Sequence, residues 1–218
     1  TPDWKMMARV DWNISNNHKL NVRFNHTANM VNSWPSTSVS PMSHNKDNMY
    51  NRYDYGRTSD YAMFFQGSNY QTLQQFTSLS AELNSRFLDG TLNNMFRFTW
   101  SHQNEERSHT GSIFPSVDIL QPTEDGKKAV ITSFGLDPFT LGNLRDVHTI
   151  TVTDEVSLMK GINNITAGLQ LEWDETKNGY MQMGAGYYLY NSWEDFKNNA
   201  KPAAFAITHP NNANLNDV

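Results

Sequence analysis

The chain has 218 residues, 17 basic and 22 acidic side chains for a net charge of -5, no cysteine, and a mean hydropathy of -0.65. Its longest apolar runs, Tyr61–Phe65 and Ala203–Ile207, fall far short of the roughly 20 residues that a membrane helix needs, so a bilayer-spanning helix is excluded while a membrane β-barrel is not. Without cysteine there are no disulfides or thiolate metal sites, and without a basic stripe nucleic acid is not an expected partner.

Lys5–Asn13 alternates, with Met6, Ala8, Val10 and Trp12 on one face and Met7, Arg9, Asp11 and Asn13 on the other. Ser15-Asn16-Asn17-His18 is a turn, and Lys19–Thr27 alternates again through Leu20, Val22 and Phe24. Period and turn chemistry predict a hairpin over about 5–27. Residues 28–72, rich in Asn, Ser, Asp and Tyr and interrupted by Pro35 and Pro41, are expected as a loop far longer than compact domains use. A second hairpin is expected over about 73–107. Leu79, Ala81, Leu83 and Phe87 line one arm, Leu88-Asp89-Gly90 turns, and Leu92, Phe96, Phe98 and Trp100 line the return. A second long loop follows over 108–146, with Pro115, Pro122 and Pro138.

The third hairpin is predicted over about 147–176. Ile150, Val152, Val156 and Leu158 are in phase, Lys160-Gly161-Ile162-Asn163 turns, and Ile165, Ala167, Leu169, Leu171 and Trp173 return. Asp154 breaks this apolar face, which predicts a bulge or a position above the hydrocarbon. Residues 177–218 are expected as a last long loop, with one or two helical turns over Asn191–Asn198 capped by Ser192. Pro2 sits at the chain start and the other prolines fall in the expected loops, as the loss of a ladder donor requires.

The fold expected is all-β: an antiparallel up-and-down meander of about six strands in three hairpins. Short turns alternating with very long loops are the asymmetry of outer-membrane barrels, whereas sandwiches keep their loops short at both ends. The meander is therefore read as a partial segment of a large barrel. Trp12, Phe24, Phe87, Trp100 and Trp173 would belong to the interfacial girdle. Arg9, Asp11, Arg23, Glu82, Arg86, Arg97, Glu172 and Asp174 would face the lumen. The start at Thr1-Pro2-Asp3 and the Asn-rich end at Asn216-Asp217-Val218 are expected to be cuts in a longer chain, and residues 1–218 are expected to contain no plug domain.

The segments Asp11-Trp12-Asn13-Ile14-Ser15, Lys19–Asn25, Ala81–Phe87, Asn93-Asn94 through Phe98, Arg107, Phe114-Pro115, Lys160-Gly161, Ile165–Leu169 and Tyr190–Phe196 with Pro202 resemble TonB-dependent receptors. The group is the Oar-like one of Bacteroidota-type bacteria, whose precursors carry a carboxypeptidase-regulatory-like domain. The resemblance implies a plugged barrel of about 22 strands in the bacterial outer membrane that actively imports a nutrient ligand and is not an enzyme. It implies outer-membrane lipid as a partner, TonB through the missing N-terminal region, and a surface lipoprotein as a candidate partner. No cofactor is expected. Two rival readings are a receptor or adhesin barrel without transport and a soluble secreted β-sandwich that binds carbohydrate.

Motifs for chemistry are sparse. His102, Glu105, Glu106 and His109 match no strong metal spacing and read better as a solvated loop entry. Asp174–Gly179 begins like a calcium loop, but its twelfth position is Ala185 rather than Glu, so that reading fails. The sequons at Asn13, Asn25 and Asn164 are read as chance. Trp34, Tyr55, Tyr180, Tyr188 and Trp193 are the candidate ligand-binding residues, because rigid amphipathic rings in polar loops suit sugars or peptides. Their competing role is packing among the loops.

Overall fold

The computed structural model describes residues 3–37 and 53–208. Thr1, Pro2, Pro41 and Asn216–Val218, which carry part of the sequence expectations, lie outside these.

The described residues form β1 (Trp4–Asn13), β2 (His18–Ser33), β3 (Met63–Phe64), β4 (Tyr70–Phe87), β5 (Leu92–His109), β6 (Ser116–Pro122), β7 (Lys128–Phe134), β8 (Leu144–Lys160), β9 (Asn163–Gly179), β10 (Tyr187–Tyr190), β11 (Ala204–Ala206) and a short helix α1 (Trp193–Lys197). The chain is all-β. β1-β2-β4-β5-β8-β9 make a six-stranded antiparallel meander, and β11-β10-β6-β7-β3 make a second, mixed sheet. They belong to two compact units. One comprises Thr1–Met30, Leu73–Glu105 and Arg145–Asn178; the other comprises Val31–Thr72, Glu106–Leu144 and Gly179–Val218.

The meander carries the three predicted hairpins, with longer arms than the alternation suggested. β4 and β5 each run 18 residues and β8 and β9 each run 17, against a usual strand of roughly 5–6. Polar ends such as Gln71-Thr72 and Glu106–His109 add ladder length without adding apolar period. The turns are tight. Ser15 N–H donates to the His18 carbonyl at 3.2 Å. Leu88, Asp89 and Gly90 all take positive φ, a left-handed corner that a short polar residue and a glycine tolerate. Asp154 lies in an unbroken β8 and accepts from Asn94 Nδ2 at 2.5 Å, so a cross-strand partner accommodates it.

The second unit corrects the reading of 28–72, 108–146 and 177–218 as irregular loops. Within those segments β10 pairs parallel with β6 and antiparallel with β11, and β6 pairs antiparallel with β7, which pairs parallel with β3. Leu120, Val130, Met183, Tyr187, Leu189 and Ala204 form one core cluster, and Val117, Ile119 and Tyr190 another. Alternation could not reveal β6, because Ser116–Leu120 is buried at every position, as a strand covered on both faces must be. Pro122 is also not in a loop. It ends β6 opposite Lys128, where a missing N–H costs least. The expected helical turns are α1, whose Ser192 Oγ accepts from Asp195 N–H at 3.1 Å.

Gly135 follows β7 at φ +86, and a Cβ there would collide with the Pro115 carbonyl. Gly135→Ala is expected to cost at least about 1–3 kcal/mol, the range for a residue forced into a sparse backbone region. Hydrogen exchange of the β6 and β7 amides measures it. Gly126→Ala, at φ +78 but with open space around it, should cost less.

Candidate functional site

Every buried apolar residue among those described belongs to the second unit, and Ser85 is the one buried residue of the first. The meander therefore has no core of its own. Its first face is apolar and open, with Val10 and Leu169 both 64% exposed and Trp12 59%. Cross-strand register gathers that face. Ala8 opposes Phe24, Val10 opposes Val22 and Trp12 opposes Leu20, and the other strands add Leu79, Ala81, Leu83, Phe96, Phe98, Ile150 and Val152.

Two polar rows cross this apolar face. Toward the tight turns, His18 Nδ1 meets Ser85 Oγ at 2.9 Å and Asn94 meets Asp154. Toward the other strand ends, His26 Nδ1 meets Thr77 Oγ1 at 2.9 Å and His102 Nε2 meets Asp146 Oδ2 at 2.8 Å. The cross-strand pairs Ser80–Thr99 and Glu82–Arg97 fix the register that sets Ser85 opposite Asn94 and Thr77 opposite His102. On four consecutive strands the rows are eight positions apart: His18 to His26, Ser85 to Thr77, Asn94 to His102, and Asp154 to Asp146. Eight residues span about 26 Å along a strand. Trp4 and Trp100 lie near one row, and Trp12 and Phe87 near the other.

The opposite face is polar and internally paired. Arg97 donates to Glu82 through Nε at 2.8 Å and Nη2 at 2.5 Å, and Glu82 also accepts from Asn21 and Asn84. Arg9 pairs with Asp11 at 2.7 Å. β8 and β9 carry a ladder of Thr149–Asp174, Thr151–Glu172, Thr153–Gln170 and Ser157–Thr166. Opposite Glu155 this ladder holds Gly168, where a Cβ would crowd the Asp154 carbonyl at 3.0 Å. Near the strand ends far from the turns, Lys5, Thr27, Asn29, Gln74, Gln103 and Glu105 line an open depression of about 420 Å³. Such a surface offers donors and acceptors of both charge signs to a polar ligand.

The five predicted aromatic residues all lie in the second unit but do not converge, and no ring contact joins any two of them. Trp34 tilts against Phe64 at 6.1 Å, Tyr188 against Phe205 at 4.8 Å, and Trp193 against Phe196 at 5.6 Å. Tyr180 is 61% exposed. Tyr55 tilts against Tyr61 at 4.8 Å, donates to Asp125 Oδ2 at 2.9 Å and accepts from Lys127 Nζ at 3.1 Å. Asp125, held by Thr123 and then by Tyr55, stays below the usual carboxylate range. Tyr187 and Tyr190, read as loop residues, are core instead.

A buried ion pair escaped the sequence reading. Asp118, in the middle of β6, is fully buried and Arg57 is 3% exposed. Asp118 accepts from Arg57 Nε at 2.9 Å and Nη2 at 2.8 Å, from Ser133 Oγ at 2.7 Å and from Tyr187 OH at 2.7 Å. Burial alone would lower the Arg57 pKa, but the Asp118 carboxylate beside it more than reverses that. Burial pushes Tyr187 well above its ordinary value and Tyr53 up to about 12. The carboxylate's partners satisfy it completely, so the cluster pins strands and leaves no lone pair for chemistry. Its one signal in the sequence was a carboxylate inside the apolar run Val117-Asp118-Ile119-Leu120.

His102, Glu105, Glu106 and His109 do not form a cluster. Glu105 pairs with Arg145 at 2.7 Å, and His109 Nδ1 bonds the Gly111 carbonyl at 2.6 Å. His102 instead joins Asp146 and His148 across β5 and β8. No helix among the described residues is long and apolar enough to cross a membrane, which says nothing of crossing by strands. Comparison with protein-family models, with curated proteins and with solved structures finds no match.

Proposed function

We propose that the chain is a segment of a TonB-dependent outer-membrane transporter, its six long strands forming part of the barrel wall. The carrying observation is the open apolar band between two polar rows. Exposed apolar area of this extent is unfavourable in water by roughly 25 cal/mol per Å², and lipid removes that cost. The paired polar face then lines the lumen, where mixed charges meet water, plug or ligand. β1 and β9 each leave one edge unpaired among the described residues, as a wall segment with further neighbours would. Import driven through TonB rests on the resemblance of the hairpin segments to the Oar-like group. The polar depression at Lys5, Gln74 and Glu105 and the aromatic residues Trp34, Tyr55, Tyr180, Tyr188 and Trp193 are its candidate ligand contacts.

In this orientation the tight turns face the periplasm. A Ser112→Cys variant of the full-length protein should react with a membrane-impermeant maleimide on intact cells. An Asn16→Cys variant should react only after the outer membrane is permeabilised. Equal labelling of both on intact cells would remove the proposed topology. Import adds a further expectation, a site-specific photocrosslink between the full-length protein and TonB; its consistent absence would leave a barrel without transport.

A further inference from the structure

Three ligating side chains converge on the open apolar face of the meander. His102 lies on β5, and Asp146 and His148 lie two residues apart, hence on one face, of the neighbouring β8. One ligand atom from each falls within 4.8 Å of the others. His102 Nε2 is 2.8 Å from Asp146 Oδ2, and His148 Nε2 is 3.4 Å from Asp146 Oδ1.

We propose that His102, Asp146 and His148 bind a borderline transition-metal dication, with Zn2+ as the reference ion. Ligands held at about 2.0–2.2 Å from a tetrahedral ion are themselves roughly 3.3–3.5 Å apart, so the ligand atoms already stand near the required spacing, and the two imidazoles need to turn out of their parallel stack for both in-plane lone pairs to meet one ion. The donor set of two imidazoles and one carboxylate suits Zn2+, Ni2+ or Cu2+ better than a hard cation such as Ca2+. The carboxylate is held in place from outside. Asn104 Nδ2 donates to Asp146 at 3.0 Å, the kind of outer contact that orients a ligating carboxylate. The imidazoles stack with centroids 4.0 Å apart and planes 3° from parallel, and Trp100 lies 6.4 and 6.3 Å from the two rings. All three ligands remain about one-third exposed, so an ion can enter and a fourth position stays open for water or an anionic donor.

Other histidines on this face lack a carboxylate partner: His18 meets Ser85 and His26 meets Thr77. Among the described residues this is the one grouping of three such ligands. The inference does not rest on the transporter reading, because it needs only the pairing of β5 with β8.

The test is calorimetric titration of ZnCl2 into full-length protein, stripped with EDTA and held in detergent. One equivalent should bind, and His102→Ala, Asp146→Asn and His148→Ala should each abolish saturable binding. Asn104→Ala should weaken it about 10–100-fold, while His109→Ala should leave it unchanged. Absence of saturable binding to the wild type, or binding that survives all three ligand substitutions, overturns the site. If a variant fails to fold, Cu2+ electron paramagnetic resonance on the wild type decides instead. Coupling to two imidazole nitrogens supports the triad, and coupling to fewer overturns it.

Discussion

Replacing Arg57 by Met is expected to destabilise the five-stranded unit by about 3–5 kcal/mol, the cost of leaving one member of a buried ion pair unpaired. The magnitude follows from the geometry. Asp118 has no exposed surface and two of its four short contacts come from the guanidinium. Ser133 and Tyr187 remain as donors in the variant, but neutral hydrogen bonds do not replace a bidentate charged one. Asp118→Leu alone strands Arg57 in the same way. The double replacement should cost less than the sum of the two, since it removes both buried charges, although it still leaves two hydroxyls without their acceptor. Hydrogen exchange of the β6, β7 and β10 amides as a function of urea isolates this unit from the meander. A loss below about 1 kcal/mol for Arg57→Met would mean that the pair is not the pin of this sheet.

A single arginine in the apolar band should be the most damaging change to the meander. Phe98 sits midway between Asn94 and His102, so Phe98→Arg places charge near the centre of the band. On a membrane barrel this costs about 2–4 kcal/mol. Thr99→Arg projects from the other face, beside Ser80, and should be tolerated there. Urea titration of full-length protein folded into lipid vesicles compares the two. If the apolar face met water instead, Phe98→Arg would be neutral or would improve solubility, and the order of the two variants would disappear.

The hairpins were legible because each strand of the meander leaves its two faces in different surroundings, and a period of two records that difference directly. The same condition hid the second sheet. β6 lies between β10 and β7 and is buried at five successive positions, so it carries no period, and β3 and β11 are only two and three residues long. Contacts that depend on register were illegible for a different reason. Arg57 meets Asp118 across 61 residues of sequence and His102 meets Asp146 across 44, and only the strand pairing brings them together. Asp154 shows both sides. Its clash with the apolar face was visible, whereas its partner Asn94 required the pairing of β5 with β8. Of the candidate aromatic residues, Trp34, Tyr180 and Trp193 are exposed while Tyr55 and Tyr188 are half-buried, and ring chemistry alone could not tell them from core residues such as Tyr187.

Contact of the apolar face of the meander with lipid is measured directly by collision of spin labels with oxygen and with an aqueous nickel reagent. Labels are placed one at a time along Lys19–Thr27 of β2 in full-length protein reconstituted into vesicles. Oxygen collisions should peak at Leu20, Val22 and Phe24, and nickel collisions at Lys19, Asn21, Arg23 and Asn25, with a repeat of two residues. Nickel access at Leu20, Val22 and Phe24 equal to that at their neighbours would contradict the account.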